Sequence, residues 1–448
     1  KVSLDNGFIN ESIEELNLLT NKYPNNGIVY YRLGYAYKEL DDYDNAVINL
    51  HKAKQLNPFN DTYSDLIVTI AKIQEAQGQE EYKRQDYQAA LNYFNKALEL
   101  TSNLIKKYPK NYFIQNLHGV VLIALNNWKI SKKYFLNSIK INNNFAEGYN
   151  NLGLYEFNLG DLEKALENFL TAIKLKPDYD KAHDNILKIL TFFKSQKNKD
   201  SPYVLANQLI SEIKFDYDQN KKINNSEILN FYKKSFDIVN KNLKKIDTAD
   251  ATIYWQNLED LNCYRHFRVF NKFNIIPKFC FGCFKVTVQP ETVLELLKMF
   301  FIFDKLYLGL KNSRKLMIDK RENIPGHYKG FIYCSSVEEG ENIKNKLKSI
   351  LMKNLGTDCS ISLKRGCSEF ALKYPSYKKA SMNNNEMMPF DETWKSKEEI
   401  IDNKIWNTNS KKGIIHPSLT GPTLRDIIIM RHWLLYANKI GDNSFVKA

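Results

Sequence analysis

Four stretches of the chain follow one template of about 34 residues, and this repetition constrains the fold more than any other feature. Two of the stretches agree in spacing from a first aromatic residue to a closing proline. The matching positions are Tyr30, Leu33, Gly34, Ala46, Leu50, Ala53 and Pro58 in one, and Tyr149, Leu152, Gly153, Ala165, Phe169, Ala172 and Pro177 in the other. Such repeats indicate a stacked array of helix pairs, which offers a binding surface and not a chemical site.

The template resembles the tetratricopeptide repeat family over roughly residues 10–193. Small residues such as Gly34 and Ala46 stand where two helices of a pair would cross, and large ones such as Leu33 and Leu50 fill the groove. The closing proline ends the second helix because its ring clashes with the preceding turn. The resemblance implies an all-α superhelix that binds proteins or peptides on a concave face lined by the first helix of each pair.

The four repeats differ in regularity. Repeat one covers residues 27–60, and repeat four covers 146–179. Repeat two matches at Ala90, Phe94 and Ala97, but about ten extra residues precede its second helix, which predicts two lengthened helices over 61–80 and 86–107. Repeat three has Gly119 and Phe135, and residues 181–193 predict a helix that caps the array.

The resemblance places candidate peptide contacts on the first helices of repeats one and four. These are Tyr31, Tyr35, Lys38, Glu147, Asn150, Asn151 and Leu154. Asparagine suits peptide backbone because its amide both donates and accepts hydrogen bonds. The asparagine ladder does not continue, since Arg32 and Leu117 occupy the slot of Asn151 in other repeats. A protein or peptide partner is therefore predicted without its identity, and docking of the array onto its own C-terminal domain is the alternative.

Charge is distributed unevenly along the chain. Residues 1–200 carry 25 Lys and Arg against 24 Asp and Glu, and residues 201–448 carry 39 against 27. The basic second half predicts an anionic partner, nucleic acid included; lysines that are merely solvated are the alternative. We expect three regions: an array over 1–200, connecting helices over 201–246, and a basic α+β domain over 247–448.

The six cysteines are too few for a disulfide framework in 448 residues. They favour free thiols or a metal site in a reducing, cytoplasmic compartment. The longest apolar tract, residues 293–308, is interrupted by Glu295, Lys298, Asp304 and Lys305, so no membrane span is predicted. Because the chain begins with Lys1 and not methionine, a removed N-terminal signal stays an open alternative.

In the second half, alternating apolar residues predict strands over 284–288, 315–321, 330–335 and 359–364. Helical patterns cover 291–308 and 337–353, so the order is β-α-β-β-α-β, typical of the ferredoxin-like split pattern. Further helices are predicted over 251–270 and 422–438, and the segment 375–420 is predicted to be loop-rich.

Cys263, His266, Cys280 and Cys283 form two short C-x-x-C/H pairs with thirteen residues between them. This spacing is typical of a tetrahedral Zn²⁺ site, and zinc is therefore the candidate cofactor. Two alternatives are cysteines packed as small hydrophobic residues among phenylalanines and a redox C-x-x-C. A set that includes Cys334 or Cys367 is also open.

Lys364 and Arg365 precede Cys367 where a strand is predicted to turn into a helix. A helix N-terminus with two basic residues favours an anion and lowers the pKa of a thiol. Lys364 and Arg365 are therefore candidate anion-binding residues, and Cys367 is a candidate nucleophile. The alternative is an ordinary turn in which Cys367 or Ser368 caps the helix.

Phe331 and Tyr333 partly resemble an RNA-contact motif of RNA-recognition domains, in which aromatic rings stack on bases. The companion aromatic on the first strand is missing, because Val286 and Val288 stand there. Three hypotheses result: an interaction adaptor, an enzyme acting on a protein that the array recruits, and an RNA-binding regulator. Familiar catalytic motifs are absent from the sequence, and the enzyme hypothesis stays undecided.

Overall fold

The computed structural model describes residues 9–57, 62–84, 87–215, 217–218, 221–243, 246, 250–255, 263–306, 313–320, 326–356, 359–367, 369–406 and 417–447. Its contacts divide the chain into two compact units, Lys1–Tyr155 and Glu156–Ala448. The division falls inside the predicted array, and the boundaries predicted near residues 200 and 247 stay predictions.

Helices alone make up the described part of the first unit. They are α1 (Ile9–Lys22), α2 (Gly27–Glu39), α3 (Tyr43–Leu56), α4 (Thr62–Arg84), α5 (Tyr87–Lys107), α6 (Tyr112–Ala124), α7 (Trp128–Ile141) and α8 (Ala146–Leu159), the last of which crosses the division. These bounds confirm the helix pairs that the template predicts.

Glycine sets the distance between the two helices of a repeat. A Cβ atom at Gly34 in α2 would lie 2.8 Å from Cγ of Leu50 in α3, so only a residue without a side chain allows this approach. The turn between the helices contains Asp41 with φ of 59°, and Asn126 takes the same place after α6 with φ of 65°. Asp and Asn tolerate this left-handed conformation better than other non-glycine residues. Asp42 then caps α3 by accepting a 3.2 Å hydrogen bond from the Asn45 amide.

Repeat two keeps the regular spacing where its helices cross. A Cβ atom at Gly78 in α4 would lie 2.5 Å from the ring of Phe94 in α5, just as one at Gly119 would lie 2.6 Å from the ring of Phe135. The separations from Gly78 to Ala90 and Phe94 equal those from Gly34 to Ala46 and Leu50. The extra residues therefore lengthen α4 at its start and α5 at its end, which confirms the two lengthened helices that the sequence predicts.

The second unit begins with α9 (Leu162–Leu175), α10 (Asp180–Ile189), α11 (Pro202–Glu212) and α12 (Asn225–Asn242). An α+β region follows. In chain order it contains β1 (Thr252–Trp255), α13 (Cys263–Phe273), α14 (Lys278–Phe281), β2 (Phe284–Gln289), α15 (Val293–Lys305), β3 (Arg314–Ile318), β4 (Tyr328–Cys334), α16 (Val337–Leu355), β5 (Ser360–Arg365), α17 (Phe370–Lys373), α18 (Lys395–Trp406), α19 (Leu424–Lys439) and α20 (Ser444–Lys447).

The strands of the described residues form an antiparallel sheet in the order β1-β3-β4-β2-β5. Val286 pairs with Ile332, and both side chains are fully buried on one face of the sheet. Gly330 on this face lets α15 approach, because a Cβ atom there would lie 2.5 Å from Cε of Met299. The opposite face contains Lys285 and Tyr333, which pair with each other.

One sequence prediction in this region is wrong. Residues 251–270 were expected to form one helix, but Thr252–Trp255 is the edge strand β1, paired with β3. Ile253 and Trp255 are buried at a period of two, which a strand requires. The segment 375–420 is loop-rich up to residue 394, as expected, but it also contains the twelve-residue helix α18, which was not predicted.

Contacts distant in sequence anchor α18. The carboxylate of Glu398 is buried; it accepts hydrogen bonds from Arg265 at 2.9 Å and from the Lys278 amide at 2.5 Å. Periodicity within the segment does not reveal these partners.

Among the described helices of the whole chain, none combines the length and the apolar character needed to cross a bilayer.

Candidate functional site

One face of α2 presents exposed side chains. Ile28 is 56% exposed and Tyr35 is 40% exposed. Tyr31, which lies between them, and Lys38, one turn after Tyr35, are half-buried. Residues at this spacing share one side of a helix. The Lys38 ammonium lies 5.4 Å from the centre of the Tyr35 ring and 2.6 Å from a carboxylate oxygen of Glu39. We call this face the α2 stripe (Ile28, Tyr31, Tyr35, Lys38); Ile28 and Tyr35 are its exposed members, and Tyr31 also packs against the core.

The candidate asparagines of α8 are engaged with the array itself. Asn150 is only 2% exposed, and its amide points to Oδ1 of Asn151 at 3.5 Å. Asn151 donates a 3.0 Å hydrogen bond to Oδ1 of Asn116 in α6. Asn116 was not among the sequence candidates. Glu147 and Leu154 are half-buried on the same helix.

The basic pair at the end of β5 is largely internal. Arg365 donates a 2.7 Å hydrogen bond to the Met388 carbonyl, and its guanidinium lies 5.0 Å from the Phe281 ring and 5.5 Å from the Tyr377 ring. Lys364 is half-buried, and burial lowers its pKa. An anion site at these two residues stays a prediction.

The aromatic pair of β4 lies on the sheet face opposite to α15. Phe331 is buried, and the ammonium groups of Lys285 and Lys315 lie 5.2 and 5.0 Å from its ring centre. Tyr333 is half-buried on the same face. Base stacking on these rings stays a prediction.

The cysteine-rich region has the most distinctive chemistry of the second unit. Cys280 lies in α14, and the chain turns at Gly282, so that the Cys283 amide donates a 3.3 Å hydrogen bond to the Cys280 carbonyl. Cys283 directly precedes β2, whose neighbour β5 leads into Gly366 and Cys367. The Gly366 amide donates a 2.9 Å hydrogen bond to the Cys283 carbonyl. Strand pairing therefore brings Cys367 beside the C-x-x-C turn.

The thiols of Cys263 and Cys367 are in direct contact. The hydrogen bond from Cys367 lowers the pKa of Cys263, despite an opposing effect of burial, and His266 one helical turn later contributes a second hydrogen bond. Burial raises the pKa of Cys280. The two thiols therefore share one proton-transfer equilibrium, and a nucleophilic role of Cys367 stays a prediction.

Two lysines that sequence reasoning missed face these thiols. Lys285 is 8% exposed on β2; burial lowers its pKa to about 8, and the nearby Cys367 opposes that effect. The positive charge of Lys315 helps to lower the pKa of Cys263. The sequence did contain a signal for Lys285, because it is a lysine in the interior of a buried strand, two residues after Cys283.

His266 is buried and stacks on the Phe279 ring at 4.9 Å. Among the described residues, no three His, Cys, Asp or Glu side chains are arranged, as they lie, to hold a metal ion. The described thiols instead hydrogen bond or pack with their neighbours, and zinc binding stays a prediction.

Comparisons with known proteins concern mainly the repeats. Residues 28–60 and 146–179 match family models of the tetratricopeptide repeat. The N-terminal part of the chain therefore contains tetratricopeptide repeats, whereas no family model matches the C-terminal half.

The similar proteins cover only parts of this chain. The TPR repeat-containing protein MJ1428 of Methanocaldococcus jannaschii is 23% identical over 277 residues, which are 58% of this chain and 45% of that protein. Protein O-mannosyl-transferase TMTC3 of Mus musculus is 33% identical over 89 residues, 19% of this chain and 10% of that protein. The chain thus spans less than half the length of these relatives. A solved structure of MamA from Desulfovibrio magneticus RS-1 aligns with a TM-score of 0.29 and 17% identity, covering 40% of this chain and 91% of that one.

Proposed function

We propose that this chain, whose N-terminal part contains tetratricopeptide repeats, is an interaction adaptor. Its array binds a segment of a partner protein, and its basic second half, with 39 Lys and Arg against 27 Asp and Glu after residue 200, engages an anionic second partner. The order β1-β3-β4-β2-β5 supports the ferredoxin-like pattern for the second half. The observation that carries the proposal is the α2 stripe.

The α2 stripe has the composition of a binding hot spot. Tyrosine offers a large contact area at a small entropic cost, and such residues contribute most of the binding energy at protein interfaces. The Lys38 ammonium beside the Tyr35 ring adds a cation held in place. Its ion pair with the neighbouring Glu39 is at the surface and therefore weak, so a carboxylate of the partner can replace it.

The buried asparagines support the same assignment. Because Asn150 and Asn151 bond to each other and to Asn116, their amides stabilise the packing of α6 and α8. Recognition of the partner is therefore assigned to α2 and not to an asparagine ladder.

The test uses the full chain and a library of random peptides. Peptides selected on the wild-type protein are measured against Tyr35→Ala and Lys38→Ala by fluorescence anisotropy. We expect Tyr35→Ala to weaken binding about tenfold, since a hot-spot truncation costs about 1–2 kcal/mol.

The matched control is Ile48→Ala, because Ile48 is a similarly exposed side chain on the second helix of the same repeat. We expect this variant to bind within about twofold of the wild type, as surface changes outside a contact have small effects. Equal binding by all three variants, or failure to select any peptide, would reject the α2 stripe as the recognition surface.

A further inference from the structure

Four cysteines from three separate segments meet at one end of the sheet. Cys263 begins α13, Cys280 and Cys283 flank the turn before β2, and Cys367 follows β5. The pairing of Phe284 with Arg365 fixes the last two segments relative to each other. Helix α13 packs on both of them, since the His266 ring stacks on Phe279 at 4.9 Å and the Phe270 ring lies 4.7 Å from that of Phe370.

The contacts within this group are close. A Cβ atom at Gly366 would lie 2.8 Å from the sulfur of Cys283, so the chain passes directly against that thiol. Cys280 and Cys367 pack in the same apolar cluster with Phe370 and Tyr377. Cys334 and Cys359 lie outside the group: the thiol of Cys334 donates to the Ile332 carbonyl at 3.6 Å, and Cys359 precedes β5 at its opposite end.

Two lysines lie beside this end of the sheet. Lys285 is 8% exposed on β2, two residues after Cys283, and its ammonium group lies 5.2 Å from the centre of the Phe331 ring. The ammonium group of Lys315 lies 5.0 Å from the same ring.

We propose that Cys263, Cys280, Cys283 and Cys367 bind one Zn²⁺ ion as a structural tetrathiolate site, with His266 as an outer partner of Cys263. Four sulfur ligands select zinc or an iron–sulfur cluster, and a C-x-x-C turn with one glycine is a common source of two of them. Four thiolates around a divalent ion leave two negative charges in excess, which Lys285 and Lys315 offset.

This ligand set differs from the one that sequence spacing predicted. Cys367 replaces His266, because Cys367 packs with Cys280 in one cluster, whereas the His266 ring stacks on Phe279. Binding requires the thiols to turn toward one centre, since no three lie around a common point among the described residues. The thiol protons are released to solvent as the metal binds.

The experiment measures zinc and iron in the full chain, purified without chelator, by inductively coupled plasma mass spectrometry. We expect about one zinc per chain in the wild type and less than about a tenth of that in Cys283→Ser and Cys367→Ser. Cys334→Ser and Cys359→Ser, the matched controls, retain the wild-type content. His266→Gln retains the metal but binds it about 10- to 100-fold more weakly in competition with a chelator, as loss of an outer hydrogen bond does.

A second measurement does not depend on the folding of any variant. The wild-type chain is loaded with Co²⁺, and its absorption spectrum reports tetrahedral coordination and the number of sulfur ligands. Wild-type protein without zinc, iron in place of zinc, or a disulfide between Cys263 and Cys367 without metal would each overturn the proposal. Full zinc content in Cys367→Ser together with its loss in His266→Gln would overturn the ligand set.

Discussion

At Gly366 a side chain would collide with the sulfur of Cys283, because a Cβ atom there would lie 2.8 Å from Sγ. Gly282, inside the C-x-x-C turn, is different: a Cβ atom at that position would meet only the Phe279 carbonyl oxygen, at 3.7 Å, and its φ of −97° suits any residue. The glycine before Cys367 is the one that close contact requires, and that contact is not visible without the β2–β5 pairing.

We expect Gly366→Ala to lower the free energy of unfolding by about 1–3 kcal/mol, because overpacking a close contact forces neighbouring atoms apart. Gly282→Ala should change it by less than about 0.5 kcal/mol, as substitutions without a clash do. Urea unfolding followed by circular dichroism measures both. Equal destabilisation by the two variants would contradict the contact.

His118 makes the stability of the first unit depend on pH. The ring is buried and lies edge-on to the Tyr134 ring. Its Nδ1 atom shares a 2.8 Å hydrogen bond with the Thr101 hydroxyl. Burial lowers its pKa to about 4, below the value of 6.5 in the unfolded chain. Between these values the unfolded chain binds a proton that the folded chain excludes, so the histidine contribution to stability falls as the pH falls from 6.5 toward 4.

We expect the wild type to lose up to about 3 kcal/mol over this window relative to His118→Gln, which cannot titrate there. Urea unfolding of both proteins at a series of pH values measures the difference. If the free energy of unfolding changes with pH in the same way for both proteins, His118 is not neutral and buried as described.

At the scale of elements, periodicity predicted those helices and strands whose own residues determine their burial. Helix α15 begins within two residues of the expected start because Thr292 forms a capping box with Glu295. Strand β1 and helix α18 were missed for a shared reason. Their positions depend on partners far along the chain, Leu316 for Ile253 and Arg265 for Glu398, which no local pattern shows.

Repeat two, whose two lengthened helices the sequence predicted, leads to a prediction about helix pairing. Gly78→Ala would place a Cβ atom 2.5 Å from the Phe94 ring, and we expect a net loss of about 1–2 kcal/mol after the better helix propensity of alanine is included. Phe94→Leu should restore part of this loss in the double variant, because the smaller side chain leaves room.

A double-mutant cycle in urea measures the coupling between residues 78 and 94. Additive effects of the two substitutions would mean that α4 and α5 do not cross at this glycine. The same cycle at Gly34 and Leu50 provides the reference value for a regular repeat.

At the scale of the whole molecule, composition divides the chain into a neutral first part and a basic second part, but charge counts alone do not reveal which lysines face inward. Lys329 forms a buried ion pair with Asp319 at 2.7 Å, and Lys285 is only 8% exposed. These two lysines therefore add little to the surface charge. For the proposed metal site, spacing pointed to three of the ligands and left Cys367 as an open member, and strand pairing places Cys367 beside them.

The two sides of α2 serve separate purposes, since Val29, Leu33 and Ala36 are buried against the repeat core, whereas positions 28, 35 and 38 face outward. Changes at these three positions leave the interior packing untouched, whereas Tyr31 also packs against the core. Partner choice can therefore drift, or be redesigned, without a compensating change in the scaffold. A combinatorial library over positions 28, 35 and 38 would sample new specificities from a helix that still folds in place.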